Sequence, residues 1–99
     1  MQIRSLARRE GPREIVYGYQ VEIDPSDRAW SAGIYDESRR GWLAPLDDNP
    51  EARAAFRQGE WNHLRIRAEG PHIRTWLNEV PAADLTDDMT PAGFIALQV

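Results

Sequence analysis

Ile15-Val16-Tyr17-Gly18-Tyr19-Gln20-Val21-Glu22-Ile23-Asp24 is the stretch on which the fold turns. From Tyr17 onward the apolar residues Tyr17, Tyr19, Val21 and Ile23 occupy the odd positions, while Gln20, Glu22 and Asp24 occupy the even ones. Successive side chains of a strand point to opposite faces, so a period of two marks a half-buried β-strand. Pro25-Ser26-Asp27 breaks it.

The same punctuation continues outward. A short strand is expected over residues 32–36, followed by the charged loop Asp36-Glu37-Ser38-Arg39-Arg40-Gly41. Asn49 can cap a helix, Pro50 suits its first position, and Gly59 stands past its end, which predicts a helix over residues 51–58. Strands follow at 61–68 and 72–77, separated by Gly70-Pro71, with Ile73, Thr75 and Leu77 opposite Arg74 and Trp76. Asn78-Glu79 reads as a hairpin turn into an edge strand over 80–85 that tolerates Pro81. The polar residues 86–92 lead to a last strand, Gly93 to Val99. Short strands, frequent turns and one small helix predict an all-β antiparallel sandwich. Both ends lack turn or capping residues. The 99 residues are therefore expected to hold a partial domain, with apolar faces such as Tyr17, Tyr19, Val21 and Ile23 left for self-association or for a missing half.

Composition narrows the function classes. The chain is 41% hydrophobic and 28% charged, the balance of a globular domain. Its net charge is −4 and every basic side chain is an arginine, with no lysine. An acidic chain with scattered arginines lacks the basic face of a nucleic-acid binder. No apolar run approaches the roughly 20 residues of a membrane span, and the polar, Arg-rich Met1–Glu10 segment has no signal-peptide core. Cysteine is absent, which excludes disulfides and thiolate metal sites. His63 and His72 are too few for a histidine-rich centre, so no cofactor is expected; Glu22 and Asp24 leave a hard divalent cation open.

Three stretches together resemble the 3-keto-disaccharide hydrolase family. The first joins Gly18–Asp24 with Gly33-Ile34-Tyr35-Asp36-Glu37 and Arg39-Arg40-Gly41-Trp42-Leu43. The second is Gly59-Glu60-Trp61-Asn62 followed by Ile73-Arg74-Thr75-Trp76-Leu77-Asn78, and the third runs from Asp87-Asp88-Met89-Thr90-Pro91 into Gly93–Gln98. The resemblance implies a concanavalin-like jelly roll with a concave sugar-binding face. It also implies secreted or periplasmic location and action on glycosides oxidised to a ketone at carbon 3. The chain departs from the pattern at Glu79, where a glycine usually follows the turn asparagine. It also lacks the strands that usually precede residues 2–4 and the histidine and strand that usually follow residue 99.

A 3-keto sugar carries an acidic hydrogen on carbon 2. Its cleavage can run by proton removal, elimination of the aglycone and addition of water, given a base, a donor for the enolate and an acid for the leaving oxygen. The resemblance points to Glu22 as base, beside Gln20 and Asp24 on the polar face of the strand. Arg40, adjoining Gly41, is the candidate to polarise the ketone, with Tyr35 and Glu37 nearby as binding groups. Trp42 and Trp76 are candidate stacking platforms and Gln98 a hydrogen-bonding contact; Trp61 is read as structural. The competing readings are a non-catalytic carbohydrate-binding module and an inactive fragment of the hydrolase.

Overall fold

The computed structural model describes residues 1–97. Among them the elements run β1 (Gln2–Glu10), β2 (Arg13–Val21), β3 (Ile34–Glu37), β4 (Gly41–Ala44), α1 (Pro50–Ala55), β5 (Leu64–Glu69), β6 (His72–Leu77), β7 (Val80–Thr86) and β8 (Phe94–Ala96). Two antiparallel sheets form, one ordered β4-β3-β2-β1-β8 and the other β5-β6-β7. The all-β sandwich with one short helix is the architecture.

The core lies between the sheets. Ile3, Tyr19 and Ile34 of the larger sheet meet Ile73 and Ala83 of the smaller one, and Val21, Ala32 and Leu77 form a neighbouring cluster. Tyr19 and Val21 are therefore fully buried rather than open to a partner. Tyr17 is half-buried, and Ile23 is 53% exposed because β2 ends at Val21 before the alternation can carry it inward.

β1 was not evident as a strand from its sequence, and a bulge explains why. Ile3 pairs with Tyr19 and Leu6 with Tyr17, so residues opposite one face of β2 are three apart on β1 instead of two. Arg4 takes a positive φ of 46° at the irregularity. Opposite it, Gly18 has φ 135°, and a Cβ there would lie 3.0 Å from Ser5 Oγ and 3.1 Å from Ser5 Cα. Only glycine fits that crossing. β4 follows the charged loop as a strand because Trp42 pairs with Tyr35 and Leu43 and Ala44 pack against the core. Trp61, expected in a strand, precedes β5 and is 97% exposed.

The helix starts as expected. Asn49 Oδ1 accepts from Ala52 N (3.2 Å), and its Nδ2 donates to the carbonyls of Pro81 and Ala82 (both 3.1 Å), tying α1 to β7. It ends at Ala55, earlier than expected. Asn78 Nδ2 donates to the Ala55 carbonyl (2.7 Å), and Phe56 turns extended to pack beside Val21 and Leu77. Asn78 and Glu79, with φ 49° and 68°, form the two-residue turn between β6 and β7. Glycine is the favoured second residue of such a turn, so Glu79 holds a conformation that costs it about 1 kcal/mol.

Thr75, 1% exposed, ties the sheets by its hydroxyl, which donates to Ala32 O (2.6 Å) and accepts from Ala83 N (2.9 Å). Thr75→Val keeps the shape but strands two buried backbone groups. Stability is expected to fall by about 2–4 kcal/mol. Urea unfolding checks this: the midpoint should drop with the slope unchanged, and an unmoved midpoint would mean that the hydroxyl holds nothing.

Candidate functional site

The face of the larger sheet turned away from the core gathers most of the candidate site residues. Its register sets Gln2 beside Gln20, Gln20 beside Tyr35 and Tyr35 beside Trp42, one residue from each of four strands. Glu37 pairs with Gly18 and joins the same face two residues beyond Tyr35. Glu22 lies one step past β2, but its backbone stays in the ladder. Its N–H donates to Gly33 O (2.9 Å) and its carbonyl accepts from Ala32 N (2.8 Å). By alternation it shares the Gln20 face, and its Oε1 accepts from Ile23 N (3.0 Å). Gln2 and Gln20 are buried at the floor, where Gln2 Oε1 accepts from Ser5 Oγ (2.8 Å).

Aromatic rings form one wall. Trp30 and Trp42 meet edge to face, centroids 4.9 Å apart at 90°, and Tyr35 leans on Trp42 at 5.2 Å. Gly33 makes this possible: a Cβ there would lie 3.2 Å from Trp42 Cζ3 and 3.0 Å from Trp30 O. The Arg28 guanidinium lies over both indoles, 4.5 Å from Trp30 and 5.2 Å from Trp42.

Asp24 was grouped with Gln20 and Glu22, but the chain leaves the strand before reaching it. It is a buried loop anchor. Its Oδ1 accepts from Ser26 Oγ (2.6 Å) and Ser26 N (3.2 Å), its Oδ2 from Arg28 Nε (2.8 Å) and Trp30 N (3.1 Å). Burial alone would raise its pKa; these donors outweigh it and hold the carboxyl well below the usual range. Asp24 thus places Arg28 on the aromatic wall. Neither Arg28 nor Trp30 stood out in the sequence, where both sit in an irregular loop; a charged residue four positions after an aspartate was the available signal.

Arg40 lies elsewhere, at the rim on the core side. Its Nε donates to Asp36 Oδ2 (2.5 Å), its Nη1 and Nη2 to Asp87 (2.7 and 3.1 Å). Arg39 also grips Asp36, through Nε (2.8 Å), and its Nη1 donates to Thr90 Oγ1 (2.5 Å). The buried Arg39 Nη2 is 2.7 Å from Asp36 Oδ1 without hydrogen-bond alignment, so charge rather than direction holds it. The Tyr19 hydroxyl donates to Asp87 as well. Arg40's hydrogen bonds, with that of Tyr19, hold the Asp87 carboxyl well below its ordinary pKa despite burial. Burial, and then the Asp87 contact, push the Tyr19 phenol up.

Trp76 projects from the outer face of the smaller sheet, between Arg65 (4.7 Å) and Arg74 (5.2 Å). The structure therefore gathers Gln20, Glu22, Tyr35, Glu37 and Trp42 on one face and separates Arg40 and Trp76 from it. Gln98 lies outside the described residues. Among the described residues no three histidine, aspartate or glutamate side chains converge as a metal ion would need.

A family model described as a 3-keto-alpha-glucoside-1,2-lyase-like domain matches residues 1–99. The chain belongs to this family. No curated protein sequence matches it. Membership in the lyase-like family makes this a glycoside-processing type of domain, and the match spans both the aromatic face and the Asp36–Asp87 clamp.

Asp24 and Asp87 have depressed folded-state pKa values, so the stability they give is fully present above the unfolded aspartate value of about 3.9. It is lost as pH falls toward their folded values. The melting temperature is expected to decline from about pH 5 downward. Asp87→Asn should flatten that decline and cost about 1–3 kcal/mol at neutral pH. Thermal melts across pH 3–8 check both, and an unchanged acid limb in the variant would remove Asp87 from the account.

Proposed function

We propose that the domain cleaves 3-keto-glycosides by removing the carbon-2 proton, with the aromatic face of the larger sheet as the sugar site and Glu22 as the base. The observation that carries this reading is the gathering of Gln20, Glu22, Tyr35, Glu37 and Trp42 on one face from three strands and the end of one of them. Trp42 and Tyr35 offer rings to a sugar's C–H surface, and Gln20 and Glu37 offer hydrogen bonds to its hydroxyls. Arg28, held on the wall by Asp24, supplies the cation for the developing enolate, the role that the sequence suggests for Arg40. Arg40 keeps the rim in place.

Glu22 lies beside Gly33 and Glu37 four residues further along β3, so their backbones are about 13 Å apart at about 3.3 Å per residue. In the proposed sequence Glu22 takes the carbon-2 hydrogen and the electron pair forms the enolate. The carbon 1–oxygen bond then breaks and the leaving oxygen gains a proton, from the Tyr35 or Glu37 side. Water finally adds across the new double bond, its hydroxyl to carbon 1 and its proton to carbon 2. A secreted or periplasmic setting fits a glycan substrate; no helix among the described residues is long and apolar enough to cross a membrane.

Glu22→Gln is expected to lower turnover of a 3-keto-glucoside by about 10²–10⁴-fold while changing binding far less, because an amide still bonds hydroxyls. Exchange of the carbon-2 hydrogen in deuterated solvent, alongside turnover, reads the step directly. Turnover and exchange that both survive the substitution would take Glu22 out of the role. A wild-type chain that binds the keto-sugar without turning it over would favour the binding-module reading.

A further inference from the structure

The outer face of the smaller sheet carries a second feature, unused by the reaction proposed for the aromatic face of the larger sheet, the front face. His63, Arg65, Trp76 and Glu79 line a recess of about 280 Å³. That is close to the lower end of small-ligand pockets, about 300 Å³, a volume suited to sugar rings rather than to a folded partner. Three observations give it a character. Arg65 and Arg74 both lie against the Trp76 ring, and among the described residues neither makes an ion pair, whereas neighbouring Arg67 pairs with Glu69 (2.9 Å) and His72 with Asp84 (2.5 Å). An arginine held against an indole rather than by an acid keeps N–H donors available for a carboxylate. Residues 61–76 contain three arginines against one glutamate, although the whole chain carries −4. Glu79, finally, keeps a left-handed backbone where glycine would be relaxed, and it lines this recess. Strain retained beside a pocket is a pointer to use of the side chain.

We infer that this recess binds a carboxylated sugar, a uronate unit of an acidic glycan, separately from the front face and independently of the reaction proposed there. Arg65 takes the carboxylate, with Arg74 adding its charge. Glu79 and His63 bond ring hydroxyls, and the uncovered edge of Trp76 contacts the C–H surface. Glu79 also decides between anions: a carboxylate in the lining repels a phosphate dianion more than a uronate monoanion, and it accepts hydrogen bonds only from groups such as hydroxyls.

Titration of the chain with digalacturonate, its uncharged methyl ester and inorganic phosphate tests this, followed by backbone-amide and indole NMR shifts. The acid is expected to bind at least tenfold more tightly than the ester, with shifts centred on residues 63–79 and weakening as salt rises. Arg65→Gln should cost at least tenfold, and Arg65→Lys should restore less than the full affinity because the fork is lost. Glu79→Gly should raise the melting temperature yet weaken digalacturonate binding, a pairing that a merely structural glutamate would not give. Equal binding of acid and ester, or no effect of Arg65→Gln, would overturn the assignment. So would phosphate binding as well as the uronate, which would mark a general anion patch, or shifts centred on Trp42. Turnover of a 3-keto-glucoside is expected to be unchanged in Arg65→Gln, so failure of either reading leaves the other measurable.

Discussion

A carboxylate with no exposed surface needs its charge answered inside the protein, and Asp36 is such a group. Arg39 and Arg40, three and four residues later across the β3–β4 turn, supply the answer. Their remaining donors then reach Thr90 and Asp87, in the link that brings the chain from the smaller sheet back to the larger one. The link must be in place for β8 to pair with β1. Removing one member of such a cluster leaves an unbalanced charge, which costs far more than the pairing gains. One interior charge thereby constrains the turn, the crossing and the last strand together.

β2 divides the labour between its faces. Tyr19 and Val21 enter the core, and Tyr19 also reaches the Asp36–Asp87 clamp through Asp87; Gln20 and Glu22 stand on the aromatic face. A slip of one residue would exchange the two sets, so the buried tyrosine and valine fix where the groups of the outer face stand. The register of the site is held by the same contacts that hold the fold.

The parts of this arrangement that were legible in the sequence are those with regular periods or local caps. β2 and β6 alternate, Asn49-Pro50 opens the helix, and Asn78-Glu79 makes its turn. β1 hid because its bulge spaces Ile3 and Leu6 three apart, though Gly11-Pro12 is the same turn dipeptide as the Gly70-Pro71 that was read. The candidate site was half legible. Alternation placed Gln20 and Glu22, but it could not show that the chain bends away before Asp24. Nor could it show which sheet carries Trp76, since a single strand reveals its two faces but not which neighbour each will meet. The role of Arg40 depended on Asp87, 47 residues distant, and long-range charge pairing leaves no local pattern.

The cations fixed on both outer faces and in the clamp are guanidiniums: Arg28, Arg39, Arg40, Arg65 and Arg74. The chain contains no lysine at all. A lysine amine loses its proton when desolvated and condenses with carbonyls to form an imine, whereas a guanidinium stays protonated. These surfaces therefore present positive charge without a side-chain amine. The 3-keto sugar of the proposed reaction would find its carbonyl polarised there with no lysine to trap it as a covalent adduct, and would leave the protein that handled it untanned.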